Sequence, residues 1–202
     1  PLLMSTNASG FPHIDIGLLP TTTIAGDFEF RLYWGILEES EYYDNNQNNN
    51  YRLFSAATFG YAPSLLPGLS LGANRVFYSA FETDSIYQDA FKIFEDFYKV
   101  SFSTVDNPSG DDYSDQMISL WARWRFPAVG FEAYLEWGRN DHSWDFRDMV
   151  GFIGHSSGYT AGFVQEVENE VGTWRLRAEL IRIERTRALL ARAEPIWYYH
   201  YR

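Results

Sequence analysis

Cysteine is absent from the 202 residues. That excludes a disulfide framework, a cysteine-ligated metal and thiol chemistry, and it is compatible with an oxidising envelope compartment. Long hydrophobic runs are absent too. No stretch reaches the roughly 18 apolar residues that a membrane-spanning helix needs. Positive charge is scarce: 16 Lys and Arg stand against 27 Asp and Glu, a net charge of −11. Such a balance disfavours nucleic acid and polybasic binding to lipid. No internal repeat of fixed period occurs, and the one low-complexity patch, Asn45 to Asn50, reads as a polar loop tip. The chain opens at Pro1 without a start Met or a secretory leader. It is therefore expected to be processed, or to be a piece of something larger.

What is abundant is aromatic. Phe, Tyr and Trp make up 18% of the chain, on a hydrophobic fraction of only 46%. The dominant period is two. Phe28, Phe30, Leu32, Trp34 and Ile36 alternate with Asp27, Glu29, Arg31, Tyr33 and Gly35. The same alternation marks Leu53 to Tyr61, Met117 to Phe126, Phe131 to Gly138, Tyr159 to Val164 and Trp174 to Ile181. Successive side chains on a strand point to opposite faces, so each run is a half-apolar strand. Leu69 to Tyr78 is a further strand in which Arg75 breaks the parity, and a bulge near Asn74 would restore it. About seven antiparallel strands are expected.

The connections alternate in length. Pro63–Gly68, Pro127–Gly130 and Val167–Gly172 are short, whereas Glu39–Asn50, Ser79–Asp115 and Arg139–Gly158 are long and polar. In an up-and-down sheet all short turns then fall at one end and all long loops at the other, as in outer-membrane barrels. Aromatics gather at both ends of the apolar face: Trp34, Trp137 and Tyr159 near the long loops, and Phe28, Tyr61, Trp124, Phe126, Phe131 and Trp174 near the short turns. Two such belts match the two interfaces of a bilayer. A soluble β-sandwich or lipocalin-like barrel also alternates, but its polar face is solvated and rich in Lys, Thr and Ser, whereas this one is rich in Arg, Glu and Tyr. The expected fold is an all-β, antiparallel, up-and-down transmembrane β-barrel, porin-like. Residues 1–202 are expected to be one domain and to supply part of a larger barrel, because an open sheet inside hydrocarbon leaves backbone groups unpaired. Within the long connection from Ser79, the spacing of Phe91, Phe94, Phe97 and Tyr98 predicts a short amphipathic helix over Ala90 to Val100.

The polar face carries both signs of charge. Glu29, Arg31, Arg52, Arg123, Arg125, Glu132, Glu136, Arg175, Arg177 and Glu179 form an interleaved ladder expected to face a common lumen. Pairing across the turn at Pro127 sets Arg125 opposite Glu132, Arg123 beside Tyr134 and Trp121 beside Glu136, and in the last hairpin Arg175 and Arg177 fall near Glu166 and Thr160. Opposed charges knit a lumen, whereas a pore selective for one charge shows one dominant sign.

Catalytic readings are weak. Glu132 and Glu136 share a face, as paired glycosidase carboxylates must, but Arg neighbours favour their ionised forms. His155–Ser156, and His142 with Asp141 or Asp145, lack a nucleophile frame. His13, His142, His155 and His200 lack metal-ligand spacing, and Asp111, Asp112 and Asp115 lack that of a calcium loop. No enzyme, metal or cofactor is expected. The densest chemical cluster is Arg139, Asn140, Asp141, His142, Trp144, Asp145 and Arg147, where a strand exits into a long loop. Trp stacks on pyranose faces while Asp, Asn and Arg bond hydroxyls, so these seven are candidate glycan-binding residues. A salt-bridged loop folded onto the rim is the alternative.

Three segments resemble the Wzi-type capsule-assembly outer-membrane proteins. They are Gly10–Gly17 with Gly26–Phe30 and Trp34–Ser40, then Glu136–His142 with Trp144–Asp145 and Arg147–Asp148, then His155–Phe163. Trp197–Tyr198 resembles a further element of that family. The resemblance implies a monomeric, lectin-like, non-catalytic barrel in the bacterial outer membrane, surrounded by outer-membrane lipid and holding capsular or other surface polysaccharide. The alternative function is an outer-membrane diffusion channel for a small solute.

Overall fold

A computed structural model of the chain describes residues 10–39, 50–81, 90–94, 114–140 and 157–183. They form eight strands: β1 (His13–Thr23), β2 (Gly26–Glu38), β3 (Tyr51–Pro63), β4 (Leu69–Ala80), β5 (Ser114–Phe126), β6 (Phe131–Asn140), β7 (Ser157–Asn169) and β8 (Gly172–Ile183). Each pairs antiparallel with the next in chain order, and β1 and β8 are the two edges of an open sheet. The architecture is therefore an all-β up-and-down meander.

The expected seven strands correspond to β2 through β8, and β1 is the eighth. Its alternation is short, with only Ile14, Ile16 and Leu18 on the apolar parity before Pro20. The ladder with β2 shifts between Leu18 and Thr21, so the second half of the strand keeps no readable period. The bulge expected near Asn74 does not exist. β4 runs in unbroken register against β3 from Leu71 to Ala80 and against β5 from Leu69 to Ser79. Arg75 thus stays on the apolar parity, and its charge is met in another way, described below. Of the helix predicted over Ala90 to Val100, Ala90 and Phe91 are helical and Lys92–Phe94 form a 3-10 turn instead. Its remainder, with Phe97 and Tyr98, lies outside the described residues.

The alternation of connection length holds. Four short turns, after Thr23, Pro63, Phe126 and Asn169, lie at one end, and the connections leaving β2, β4 and β6 lie at the other. Each short turn contains or ends on a glycine at positive φ: Gly26, Gly68, Gly130 and Gly172. Gly130 is left-handed at φ 63 and closes the 3-10 turn Pro127–Val129 with its N–H on the Pro127 carbonyl, a conformation that costs any residue with a Cβ.

Continuous registers fix two faces. One carries Ile14, Ile16 and Leu18 of β1, Phe30 and Ile36 of β2, Phe59 of β3, Leu71 of β4, Leu120, Trp124 and Phe126 of β5, Leu135 of β6, Phe163 of β7 and Trp174, Leu176 and Leu180 of β8. All fifteen are exposed, Leu120 at 50% and Leu180 at 68%. The exposed large apolar side chains on the opposite parity are Ile181 and Ile183, at the loop end of edge strand β8, and Leu19 beside the irregularity in β1.

Candidate functional site: the polar face and its loop end

The ladders place Glu29, Arg31, Arg52, Arg123, Arg125, Glu132, Glu136, Arg175, Arg177 and Glu179 on the face opposite the apolar one. Arg125 stands opposite Glu132, Arg123 opposite Tyr134, Trp121 opposite Glu136, and Arg175 opposite Glu166, as the turn pairing required. Arg177 departs from expectation: it faces Val164, and Thr160 faces Ile181. Side chains do not simply bond across the rungs. Arg123 reaches diagonally to Glu132 at 2.7 Å. Arg175 pairs with Glu166 at 3.4 Å, and Arg31 stands 3.9 Å from Asp15 of β1. Arg177 donates to Glu179 at 2.7 Å, and the Tyr134 hydroxyl donates to the same carboxylate. Exposed pairs of this kind contribute about 0–1 kcal/mol each. Their effect is to hold long side chains in set positions across the face.

Glycine is what makes room for them, and the sequence reading passed over it. Glycines lie inside strands at 17, 35, 60, 72, 138, 158 and 162, and every one falls on the polar face. Large side chains lie across several of them. A Cβ at Gly60 would meet Glu29, one at Gly72 the ring of Trp121, one at Gly17 the stem of Arg31, and one at Gly162 the ring of Tyr134. Side chains on the concave side of a curved sheet converge and those on the convex side diverge. Glycines confined to one face therefore suit a concave side, where a lumen would lie. The signal was legible in the parity of the glycines, but only once the register was known.

The loop end of the same face carries an apolar cluster beside Arg52. Phe54, Ala56, Val76 and Tyr78 form a buried apolar cluster, packed by Phe11, Tyr33, Leu37 and Met117. Below it runs a row of small polar residues, where the Asn74 amide donates to the Ser119 hydroxyl at 3.0 Å. Glu136 and Thr160 are buried next to Trp121 in the adjoining row. Glu132 and Glu136 share this face but stand about 13 Å apart along β6 at four strand steps, wider than the carboxylate pairs of glycosidases, and Glu132 is held by Arg123.

Of the candidate glycan residues, Arg139 and Asn140 are the last two of β6. Both are buried, but strand alternation sends them to opposite faces: Arg139 pairs with Ser157 on the apolar parity, and Asn140 with Met117 on the polar one. They do not converge on one ligand. Asp141, His142, Trp144, Asp145 and Arg147 lie outside the described residues, as do His142 and His155 of the weak triad reading, His200, Asp111 and Asp112. His13 is on β1, its ring 5.2 Å from that of Phe11 and 6.0 Å from that of Tyr33.

Aromatic side chains mark the turn end of the apolar face. Phe28 stacks on Tyr61 at 4.6 Å and Trp124 on Phe126 at 5.1 Å. Phe131 lies 6.0 Å from Phe126 and 6.1 Å from Phe163. Two of their polar tips turn toward the turns: the Tyr61 hydroxyl donates to the Ala25 carbonyl and the Trp124 indole to the Pro67 carbonyl. Among the described residues no helix is long and apolar enough to cross a membrane, which says nothing of strands. Comparison with protein-family models, with curated proteins and with solved structures finds no match for this chain.

Proposed function

We propose that the eight strands lie in the outer membrane of a bacterium as part of a β-barrel, apolar face to lipid and polar face to the lumen. We propose further that the chain retains capsular or other surface polysaccharide at the cell exterior without chemistry. One observation carries the membrane reading: the apolar face is continuous over all eight strands and exposed. A half-exposed Leu or Phe gains roughly 1 kcal/mol on entering an apolar medium, so the fifteen side chains together favour one by something on the order of 15 kcal/mol. Soluble monomers rarely leave so large a patch in water. A ring of aromatics at the turn end, with polar tips toward the turn backbone, is what a membrane interface selects.

Retention of a glycan is supported by the resemblance to the Wzi-type proteins and by the Trp, Asp and Arg residues that follow β6 into the 141–156 connection. The polar face favours retention over a diffusion channel. Its Arg and Glu side chains compensate one another, and Phe54, Val76 and Tyr78 crowd its loop end. The test is triple replacement of Trp144, Asp145 and Arg147 by Ala in the native host. Polysaccharide should move from the cell-bound to the released fraction while the barrel still inserts, checked by its heat-modifiable gel mobility. Unchanged retention with normal insertion would defeat the glycan reading.

A further inference from the structure

Arg75 is the one charged residue on β4, and it sits on the face assigned to lipid. A bare guanidinium there costs several kcal/mol. The chain covers it instead. Arg75 donates from Nε and Nη2 to the side-chain oxygen of Gln116 at 3.3 and 3.1 Å, and from Nη1 to the Ile93 carbonyl at 3.1 Å. Its guanidinium carbon lies 4.6 Å from the centre of the Phe77 ring. Arg75 is 8% exposed and Ile93 is 5% exposed. The Trp34 indole donates to the Ala90 carbonyl at 2.8 Å. Trp34, Phe77, Arg75 and Gln116 all belong to the apolar parity, so residues 90–94 lie as a strap across the outside of the sheet.

The level of this strap is informative. Phe126 belongs to the aromatic ring at the turn end, and Gln116 lies ten residues along the same strand. A strand rising about 3.4 Å per residue and tilted about 40° gains roughly 26 Å of height over those steps. The apolar band of an outer-membrane barrel is about 25 Å tall. The strap therefore begins where the hydrocarbon would end, in the rungs of Gln116 and Arg75 and above Ala73 and Leu120 of the apolar face. Two of its side chains are largely exposed. Phe91 is 59% exposed and Phe94 60%, with rings 6.2 Å apart and nearly parallel.

We propose that residues 90–94 mark the outer boundary of the hydrocarbon and that Phe91 and Phe94 are an interfacial anchor, inserted among the lipid headgroups of the outer leaflet. This rests on the membrane reading above. The ligand is the lipid surface, argued from the continuity of the strap with the apolar face beneath it and from the height match. The strap would fix the depth of the barrel on the β2–β5 side and keep the Arg75 cover pressed down.

The absence of cysteine makes a direct test possible. Single thiols at Phe91, Phe94, Leu120 and Glu170, each labelled with an environment-sensitive fluorophore, are compared in the full chain. The protein is reconstituted in phosphatidylcholine vesicles brominated either near the headgroup or deep in the acyl chain. The Leu120 probe should be quenched most by deep bromines and the Glu170 probe by neither. The Phe91 and Phe94 probes should be quenched at least about twofold more by shallow than by deep bromines, as groups held some 5–10 Å into the boundary would be. If Leu120 is quenched while Phe91 and Phe94 behave like Glu170, or are quenched best by deep bromines, the anchor is wrong and the membrane reading stands. If Leu120 is not quenched, both are wrong.

Discussion

Replacing Gly162 by Ala should destabilise the sheet through one identifiable side chain. Gly162 of β7 stands in register between Tyr134 of β6 and Glu179 of β8. Tyr134 crosses over it to donate its hydroxyl to Glu179. A methyl group at Gly162 would lie 2.5 Å from the Tyr134 oxygen, 2.6 Å from Cζ and 2.8 Å from the Ala178 carbonyl oxygen. The ring must leave, and its hydrogen bond goes with it. Overpacking costs about 1–3 kcal/mol and the bond about 1 kcal/mol, against roughly 0.5–1 kcal/mol gained by Ala over Gly in a strand. The net expectation is a loss of about 2 kcal/mol. After Tyr134→Ala, Gly162→Ala still meets the Ala178 carbonyl but no longer the ring, and its cost should fall by about 1–2 kcal/mol, which is the coupling energy of the cycle. Tyr134→Phe keeps the ring but loses the bond, so Gly162→Ala should remain costly in that background. Urea unfolding in lipid vesicles, followed by Trp fluorescence, reads all of these. Additivity of Gly162→Ala and Tyr134→Ala within about 0.5 kcal/mol would refute the claim that glycines make room for large side chains on this face.

Two further substitutions test the faces. Leu120→Arg should cost about 2–4 kcal/mol of folding into vesicles, whereas Arg123→Leu, which breaks only a partly exposed ion pair, should cost about 1 kcal/mol or less. Equal costs in the same urea assay would remove the distinction between lipid and lumen sides. Arg75→Leu should cost about 2–3 kcal/mol by taking the guanidinium donors from Gln116 and the Ile93 carbonyl. Adding Gln116→Leu should recover about 1 kcal/mol of it, since removing both partners is cheaper than removing one. A double variant less stable than Arg75→Leu alone would contradict the cover.

Much of the sheet was legible because period two and connection length say the same thing. β2, β5 and β6 could be read residue by residue, and the rungs Arg125–Glu132 and Trp121–Glu136 followed from a four-residue turn. β1 was not legible, because Pro20 and the shift after Leu18 leave three apolar residues, too few to count as a period. Arg75 shows a different limit. A charge on the wrong parity has two remedies, a shift of register or a cover from elsewhere. The sequence favoured the first because the cover is a backbone carbonyl at Ile93, and a carbonyl has no sequence signal. The candidate site fared least well. Arg139 and Asn140 are neighbours in sequence, but a strand separates neighbours, so a cluster read along β6 need not be a cluster in space.

The two edges bear on the membrane reading in a way neither face does alone. An edge strand in water is usually blunted by proline, lysine or a bulge. β1 has Pro20 and an irregular ladder near its turn end, whereas β8, Gly172–Ile183, contains neither proline nor lysine and pairs regularly with β7 throughout. It carries Trp174, Leu176 and Leu180 on one parity and Arg175, Arg177 and Glu179 on the other, which is the pattern of a central strand. About half of its backbone groups face away from β7, and in hydrocarbon each would cost several kcal/mol. That sum exceeds the roughly 15 kcal/mol by which the apolar face favours a bilayer. A sheet of the described strands alone would therefore not be stable in lipid with the outer edge of β8 bare, and the membrane reading requires another strand against that edge. In water the position reverses: the edge is solvated at little cost, but fifteen large apolar side chains are not. A bilayer with the edge paired satisfies both surfaces at once, and water satisfies only one.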